Sequence, residues 1–333
     1  MTLTTEPQTA LVPTVTDAGT LTLVPVEVVE RETAAAVAFA LADKADATRR
    51  AYRSDWQRFA AWCTARGEAA LPAEPKVVAT FLASEAAAGV KPPTLARRVA
   101  AIRYAHRLDG HEPPTNAEAV RATLRGIRRT KGTAPAQKAP ATADRIATML
   151  GFVPTDTVRG LRDRALLLLG FSGAFRRSEL VGLHVEDLAF LPDGLRVLIR
   201  HSKGDQEGQG QEIAIPNGAK LHPVEALRVW LEAAGITSGP VFRRIRKNGL
   251  IGSDALTAEV VALVVKQYAK EAGLRPEELA GHSLRAGFLT SGAEAGASVF
   301  KLMEVSRHKS MDTLRGYVRR AELFKDHAGA GFL

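Results

Sequence analysis

Five features in the second half of the chain bring together side chains that can move protons or hold an anion. They are Arg176 with Glu179 three residues on in GAFRRSEL, Lys203 between two strand-like runs, His282 with Arg285 in HSLR, His308, and Tyr317 nine residues later. Each has an ordinary reading when taken alone. An HxxR pair arises by chance about once in a chain of this size. Arg176 and Glu179 at i, i+3 suit a surface helix pair of small energetic value. Lys203 reads as a solvated charge, and His308 as a satisfied surface histidine. The four tyrosines discriminate better. Tyr52 and Tyr268 share apolar helical stripes and read as core, and Tyr104 falls within the first helical region. Tyr317 lies in LRGYVRR, a poor place to pack a ring. Nearby guanidiniums favour the phenolate, so this phenol is suited to losing its proton.

These residues must be positioned by larger elements. At 333 residues the chain is long enough for two domains. Hydrophobic residues at 46% and charged residues at 24% describe an ordinary folded chain. Lys plus Arg number 45 against 36 acids, a net +9, which favours a polyanionic partner such as nucleic acid. Residues 1–40 hold one Arg against five acids, a net −4, which leaves +13 on the rest. Cys63 is the only cysteine, which excludes disulfide frameworks and cysteine-rich zinc modules and fits a reducing cytosolic compartment. No metal cluster, Gly-rich phosphate loop or Walker motif is present in the sequence, and the expected cofactor set is none. The N-terminus lacks a basic region before an apolar core, and the apolar run Ala34–Ala42 is too short to span a bilayer. Membrane and secreted readings are therefore dropped.

Periodicity divides the chain further. Residues 1–25 read as a flexible tail, followed by a lone helix over about 26–42. From 46 to 130 the period is helical, with stripes at Tyr52, Trp56, Phe59 and Cys63, at Val78, Phe81 and Leu82, at Leu95, Val99, Ile102 and His106, and at Val120, Leu124 and Ile127. Gly67 and Gly89 stop the first two helices, and Thr115 or Asn116 caps the fourth. The region 26–130 is thus a helical domain whose outer faces are rich in arginine. KGTAPAQKAPAT, 131–142, reads as an extended linker whose lysines suit a phosphate backbone. The domain over 143–333 mixes a small antiparallel sheet near 187–215 with helices at 161–171, 223–234, 257–272, 283–294, 298–305 and 311–324. The fold class is mainly α with a small antiparallel β-sheet.

The order Arg (with Glu three on), Lys in a hairpin loop, HxxR, His, Tyr is similar to the tyrosine recombinase (phage integrase) family, and looks closest to its Cre-like members. FAAWC with LPAEP, HRLDG followed by PPT, RGIRR and FRRIRKNG extend the likeness over about residues 46–320. The resemblance implies an N-terminal four-helix, SAM-like core-binding domain and an α+β catalytic domain ending in a C-terminal helix. It implies a site-specific recombinase that cleaves and rejoins DNA through a 3′-phosphotyrosyl bond and exchanges strands through a Holliday junction. Arg176 and Arg285 match the phosphate clamp, His308 a phosphate hydrogen-bonding position and Tyr317 the nucleophile. His282 is then the proton acceptor, Lys203 the acid for the leaving 5′-oxygen, and Glu179 an orienting residue. Thr48, Arg50, Ser54, Lys91, Arg97, Arg98 and Arg129 fall where such proteins meet DNA. The implied partners are double-stranded DNA with inverted-repeat sites and a homotetramer across two sites, in a bacterial or phage-type, nucleoid-associated setting with no membrane. The tail LFKDHAGAGFL is expected to form a helix that docks in a neighbouring subunit. Arg307 stands where relatives usually have Gly, and its role is open; Asp205 and Glu207 are placed to hold Lys203 from DNA. A type IB topoisomerase-like relaxing enzyme and a non-catalytic DNA-binding regulator are the rival readings.

The assignment of Lys203 has a direct test. An alkoxide leaves poorly without a proton, whereas a thiolate needs none. Lys203→Ala should slow cleavage of ordinary DNA by a factor on the order of 10² to 10⁴. Sulfur at the scissile 5′ bridging position should restore most of that loss, and should not rescue Arg176→Ala, whose defect is charge on the non-bridging oxygens. Failure of sulfur to rescue Lys203→Ala would move the acid elsewhere, first to His282.

Overall fold

Four runs of helical periodicity in the first half become four helices: α1 (Asp46–Thr64), α2 (Pro75–Ala87), α3 (Pro92–Leu108) and α4 (Glu118–Lys131). The computed structural model describes residues 11–15, 21–25, 28, 30–32, 34, 43–133, 138–200, 202, 210–308, 310, 311, 314, 316 and 317. Pro75 and Pro92 open α2 and α3, where a missing N–H is no loss. Gly67 and Gly89, both at positive φ, follow α1 and α2 and let the chain leave the helix without Cβ strain. The fourth helix has no side-chain cap: Thr115 is buried and accepts from Arg103 Nε at 3.1 Å instead. Phe59, Cys63, Phe81, Leu82, Leu95, Ile102 and Val120 close the core, with Phe59 and Phe81 edge to face at 5.1 Å. His106 belongs to that core. It takes the Ala73 amide on Nε2 at 2.9 Å and its Nδ1 lies 2.8 Å from the Ile102 carbonyl.

Residues 28, 30–32 and 34 of the expected lone helix are helical, and the others of 26–42 lie outside the described residues. Within the expected flexible tail, Leu11–Val15 (β1) and Leu21–Pro25 (β2) pair as antiparallel strands, Val12 opposite Val24. That corrects the tail reading. The two runs are rich in Leu, Val and Thr, which favour strands, and Asp17 and Gly19 between them are turn formers.

The chain divides into two compact units, 1–135 and 136–333. In the second, the helices are α5 (Ala143–Leu150), α6 (Val158–Ser172), α7 (Arg177–Val181), α8 (Pro223–Ala233), α9 (Ala258–Glu271), α10 (His282–Glu294) and α11 (Val299–Ser306). α6 is its spine: Ala165 to Leu169 are all buried, because Leu runs on more than one face of it. β3 (Leu188–Leu191), β4 (Gly194–Ile199) and β5 (Gln211–Pro216) form a three-stranded antiparallel sheet in that order. Leu195, Val197 and Ile199 face the core opposite Ile213 and Ile215, the alternation expected of a half-buried sheet. A second hairpin, β6 (Arg243–Ile245) and β7 (Ile251–Ala255), has no counterpart in the sequence reading. Its strands are short and mostly polar, and only Asn248-Gly249 marks the turn. Among the described residues no helix is long and apolar enough to cross a membrane. Lys203, Asp205, Glu207 and the tail from 318 lie outside the described residues.

The end of the expected linker is not extended into solvent. Ala139 and Ala141 donate to the carbonyls of Glu278 and Ser283 at 2.8 and 2.9 Å, the Ala143 amide donates to Ser291 Oγ at 2.9 Å, and Ala141 is fully buried. Small side chains and Gly287 permit this fit. A Cβ on Gly287 would stand 1.7 Å from the Ala141 carbonyl oxygen. Alanine in a helix interior normally gains about 1 kcal/mol over glycine. Here the clash should outweigh that gain, and Gly287→Ala should destabilise the second unit by about 1–3 kcal/mol. Urea unfolding followed in that unit checks the sign; a stabilised variant would mean that the segment over 139–143 is not seated on α10.

Candidate active site

Three turns and a helix converge on one cluster. α6 ends at Gly173, and Ala174 turns the chain at φ +45°, sending Arg176 to the N-cap of α7. Glu179, at the third helical position, reaches back to accept the Arg176 amide at 2.8 Å, half of a capping box. That local motif turns Arg176 and Glu179 from a possible surface pair into a fixed unit. His282 and Arg285 lie in the first turn of α10, one turn apart on the same face. α11 stops at Arg307 with φ +58°, and His308 follows it. Tyr317 is helical and half-buried.

The Glu179 carboxylate is 1% exposed and takes three donors. Oε1 accepts Arg176 Nη1 at 2.5 Å, and Oε2 accepts the Arg176 amide and, at 2.7 Å, Arg307 Nη2. Burial alone would raise its pKa. Arg307, then the Arg176 amide and guanidinium, more than offset that and hold the carboxyl below the usual range. Arg285, 1% exposed, donates Nη1 to the Ala174 carbonyl at 2.8 Å, and its Nη2 lies 3.1 Å from His308 Nε2. Burial, then the charges of Arg176 and Arg307, bring Arg285 down to about 9, so it stays charged at neutral pH.

His308 is held from behind. Ser306 Oγ donates to the Leu302 carbonyl at 2.5 Å and lies 2.8 Å from His308 Nδ1. The hydroxyl proton is therefore used, which assigns Nδ1–H as donor to Ser306 and leaves Nε2 as the ring acceptor; Arg285 Nη2 lies 3.1 Å from Nε2 and 3.3 Å from Nδ1. Burial first, then Arg285 and Arg176, lower the His308 pKa to about 4, so the ring is neutral at neutral pH. Tyr317 Oη lies 3.4 Å from His282 Nε2. The His282 pKa is also lowered, by loss of hydration against the surrounding protein and then by Arg285, Arg176 and Arg177. A neutral imidazole beside a phenol can take its proton.

The structure thus brings Arg176, Glu179, His282, Arg285, His308 and Tyr317 together. Strands β4 and β5 flank the segment that holds Lys203, which itself is outside the described residues. Two neighbours escaped the sequence reading in their roles. Ser306 fixes the ring of His308, and Arg307 joins Glu179; both sit in the SRH triplet, where adjacency to His308 was the available signal.

The residues expected to meet DNA divide into two groups. Arg50, Ser54, Lys91 and Arg129 are exposed, and Thr48 is half-buried. Arg97 is half-exposed, with Nε bonded to Asp55 Oδ2 at 2.7 Å. Arg98 is the correction. It is 8% exposed, ion-paired with Glu85 and 3.6 Å from Asp55, so it lies against two buried acids in the helical core and is largely withdrawn from the surface. Helical spacing places Arg97 and Arg98 100° apart on α3, and here Arg98 is the one turned toward Asp55 and Glu85.

Residues 141–323 match the model of the phage integrase family, and 41–109 match the phage integrase N-terminal SAM-like domain. The integrase/recombinase xerD homolog of Selenomonas ruminantium is 41% identical over 290 residues, covering 86% of this chain and 85% of that one. The recombinase cre of Escherichia phage P1 is 24% identical over 285 residues, 79% of this chain and 81% of its own. The expectation that Cre-like members stand closest is thereby corrected: the xerD homolog is the more similar of the two. In fold, the chain resembles the XerH site-specific recombinase in its post-cleavage complex with palindromic difH substrate, with a TM-score of 0.57 at 17% identity, covering 75% of this chain and 70% of that one. Two matched domains in the expected order, and a relative at this identity across most of both lengths, decide the matter: the chain belongs to the phage integrase family and is a tyrosine site-specific recombinase.

Proposed function

We propose that this recombinase cuts duplex DNA with Tyr317 as nucleophile and conserves the broken bond as a 3′-phosphotyrosyl link. One observation carries the reading: a phenol 3.4 Å from a neutral imidazole, in a cluster where, among the described residues, Arg176, Arg285 and Arg307 outnumber the carboxylate of Glu179. A phosphodiester brings one negative charge and develops a second as the nucleophile adds. A site with surplus fixed positive charge and planar donors meets that need. Tyr317 Oη gives its proton to His282 Nε2 and bonds to phosphorus. The bond to the 5′-oxygen breaks, and that oxygen takes a proton from Lys203. Arg176 and Arg285 hold the non-bridging oxygens, and His308, once the phosphate's charge lets it take up a proton on Nε2, hydrogen-bonds one of them. Rejoining runs the same steps backward with a 5′-hydroxyl as attacker, so no high-energy cosubstrate enters.

The wider reading places the enzyme on double-stranded DNA with inverted-repeat sites, as a tetramer across two sites that exchanges strands through a Holliday junction. The exposed basic residues Arg50, Lys91, Arg97 and Arg129 of the N-terminal helices are the proposed phosphate contacts, and their loss should reduce the salt dependence of binding. The test of the chemistry is to trap and map protein–DNA adducts on plasmid DNA carrying the sequence around the gene. The wild-type chain should yield a 3′-linked adduct at one position, and Tyr317→Phe should yield none while still binding. An adduct that survives in Tyr317→Phe would overturn the assignment.

The same cluster predicts a pH effect on stability. Native His308 stays neutral down to about pH 4, whereas an unfolded histidine binds its proton near 6.5. Between those values the unfolded chain holds more protons, so stability falls as pH falls, and is unaffected above the upper value. His282 acts in the same direction. Going from pH 7.5 to 5.0 should cost about 1–2 kcal/mol through His308 alone. In urea unfolding, His308→Gln should lose that part of the acid sensitivity. Identical pH dependence in the two proteins would mean that His308 is not held neutral by this site.

A further inference from the structure

Arg307 stands at a backbone position suited to glycine and carries there a guanidinium that is 2% exposed. The left-handed conformation, φ +58° and ψ +40°, costs a residue with a Cβ about 1–2 kcal/mol. Closing α11 does not need this side chain, since a glycine would close it without strain. Its contacts point elsewhere. Nη1 donates to the carbonyls of Gly173 at 3.0 Å and Val305 at 2.6 Å. Nη2 donates to the Ala174 carbonyl at 3.0 Å and to Glu179 Oε2 at 2.7 Å. The guanidinium also lies over the Phe175 ring, 5.3 Å from its centre. Three of these four bonds, and the ring contact, reach the segment that carries Arg176 and Glu179.

The contacts are shared in a specific way. The Ala174 carbonyl takes both Arg307 Nη2 and Arg285 Nη1, so one oxygen sets the spacing of two guanidiniums. Glu179 takes Arg307 on one oxygen and Arg176 Nη1 on the other. Arg307 therefore touches an anchor of each clamp arginine while remaining buried behind both. Without it, Glu179 would direct its whole charge at Arg176, drawing that guanidinium inward and weakening it as a phosphate donor. The Gly173 carbonyl would lose its donor, and the turn that aims Arg176 would lose a brace.

We propose that Arg307 is a positioning residue of DNA cleavage, its guanidinium tying the Gly173–Ala174 turn and Glu179 together so that Arg176 and Arg285 present their donors jointly to the scissile phosphate. The proposal rests on the reading of Arg176 and Arg285 as that clamp. It differs from a capping or packing role in what glycine does at 307. If Arg307 only ends the helix, Arg307→Gly relieves the backbone and leaves cleavage intact. If it positions the clamp, Arg307→Gly binds DNA and cleaves poorly.

The experiment uses the full chain and a nicked duplex carrying the cleavage position mapped with the wild-type enzyme. Single-turnover adduct formation by Arg307→Gly should fall about 10- to 100-fold with duplex affinity held within about twofold, the cost of a small misplacement of the clamp. Guanidinium chloride at millimolar concentration, far below denaturing levels, should restore part of the rate by entering the vacated space. Arg307→Lys, which keeps the charge and loses the fork, should fall between the two. Wild-type cleavage by Arg307→Gly overturns the proposal, as does a rate loss that tracks a fall in melting temperature and ignores guanidinium. Should Arg307→Gly fail to fold, Arg307→Lys decides: a reduced rate at unchanged affinity supports positioning, and a wild-type rate overturns it. Failure of the underlying reading has a separate signature, since the wild-type enzyme would then form no adduct or Tyr317→Phe would still form one.

Discussion

Glu179 carries the negative charge that lets Arg176 and Arg307 share one small, water-poor volume, and the rest of the site is arranged around that fact. A buried carboxylate without partners would take up a proton. This one stays ionised because two guanidiniums and a backbone amide point at it. The dependence runs both ways. Removing one partner of a buried ion pair generally costs about 3–5 kcal/mol, because the charge left behind has no water to turn to. Glu179 is thus less a member of the proposed reacting set than the reason two cations can be held beside a third, Arg285, whose own pKa is depressed first by burial and then by them.

The surplus of positive charge has a consequence for the imidazoles. Both His282 and His308 are kept neutral, and in each case arginines follow desolvation among the causes. Neutrality is what a proton acceptor at His282 requires. For His308 it means that the free enzyme presents a lone pair to Arg285, not a donor to solvent. Under the proposed mechanism an arriving phosphate would change that balance: its charge would offset the arginines and compete for the Arg285 donors, making a protonated or reoriented His308 less costly than in the free state. The cluster is therefore poised toward an anion before one binds, with the unfavourable interactions of the free site relieved by the ligand's charge.

How much of this was legible in the sequence depended on whether spacing alone determined the neighbours. Arg176 with Glu179 and His282 with Arg285 lie three apart on helices, so their pairing follows from local geometry, and the apolar stripes placed the helices around them. The stripe through Phe59 and Cys63 and the alternation in β4 and β5 were legible for the same reason. Arg98 was misread because its charge looks the same in sequence whether it faces solvent or Asp55 and Glu85, and both acids come from other helices. The strands β1 and β2, the short polar hairpin β6–β7, and the seating of 139–143 on α10 depend on pairing or on close approach to a glycine. Neither leaves a periodic trace. Arg307 was noticed as a departure from a familiar pattern, but its partners Gly173, Ala174 and Glu179 are more than 120 positions away.

Two of the places where the backbone breaks local rules coincide with the crowding of its charges. Of the three described residues with a Cβ at left-handed φ, His222 opens α8, whereas Ala174 and Arg307 belong to this site, and a hydrogen bond joins these two directly, Nη2 of Arg307 to the carbonyl of Ala174. Each such conformation costs energy that persists only where surrounding contacts over-determine it. Here the contacts are visible: Arg285 and Arg307 both draw on the Ala174 carbonyl, and Arg307 also holds Glu179 and Gly173. A smoother turn at 174 would aim that carbonyl away from Arg285, and a smoother exit from α11 would carry the Arg307 guanidinium out of reach of Glu179. Backbone strain, a buried carboxylate and three crowded guanidiniums are then one arrangement seen at three levels. The strain fixes where the acceptors lie, the acceptors fix where the cations lie, and the cations define the space proposed here for the scissile phosphate.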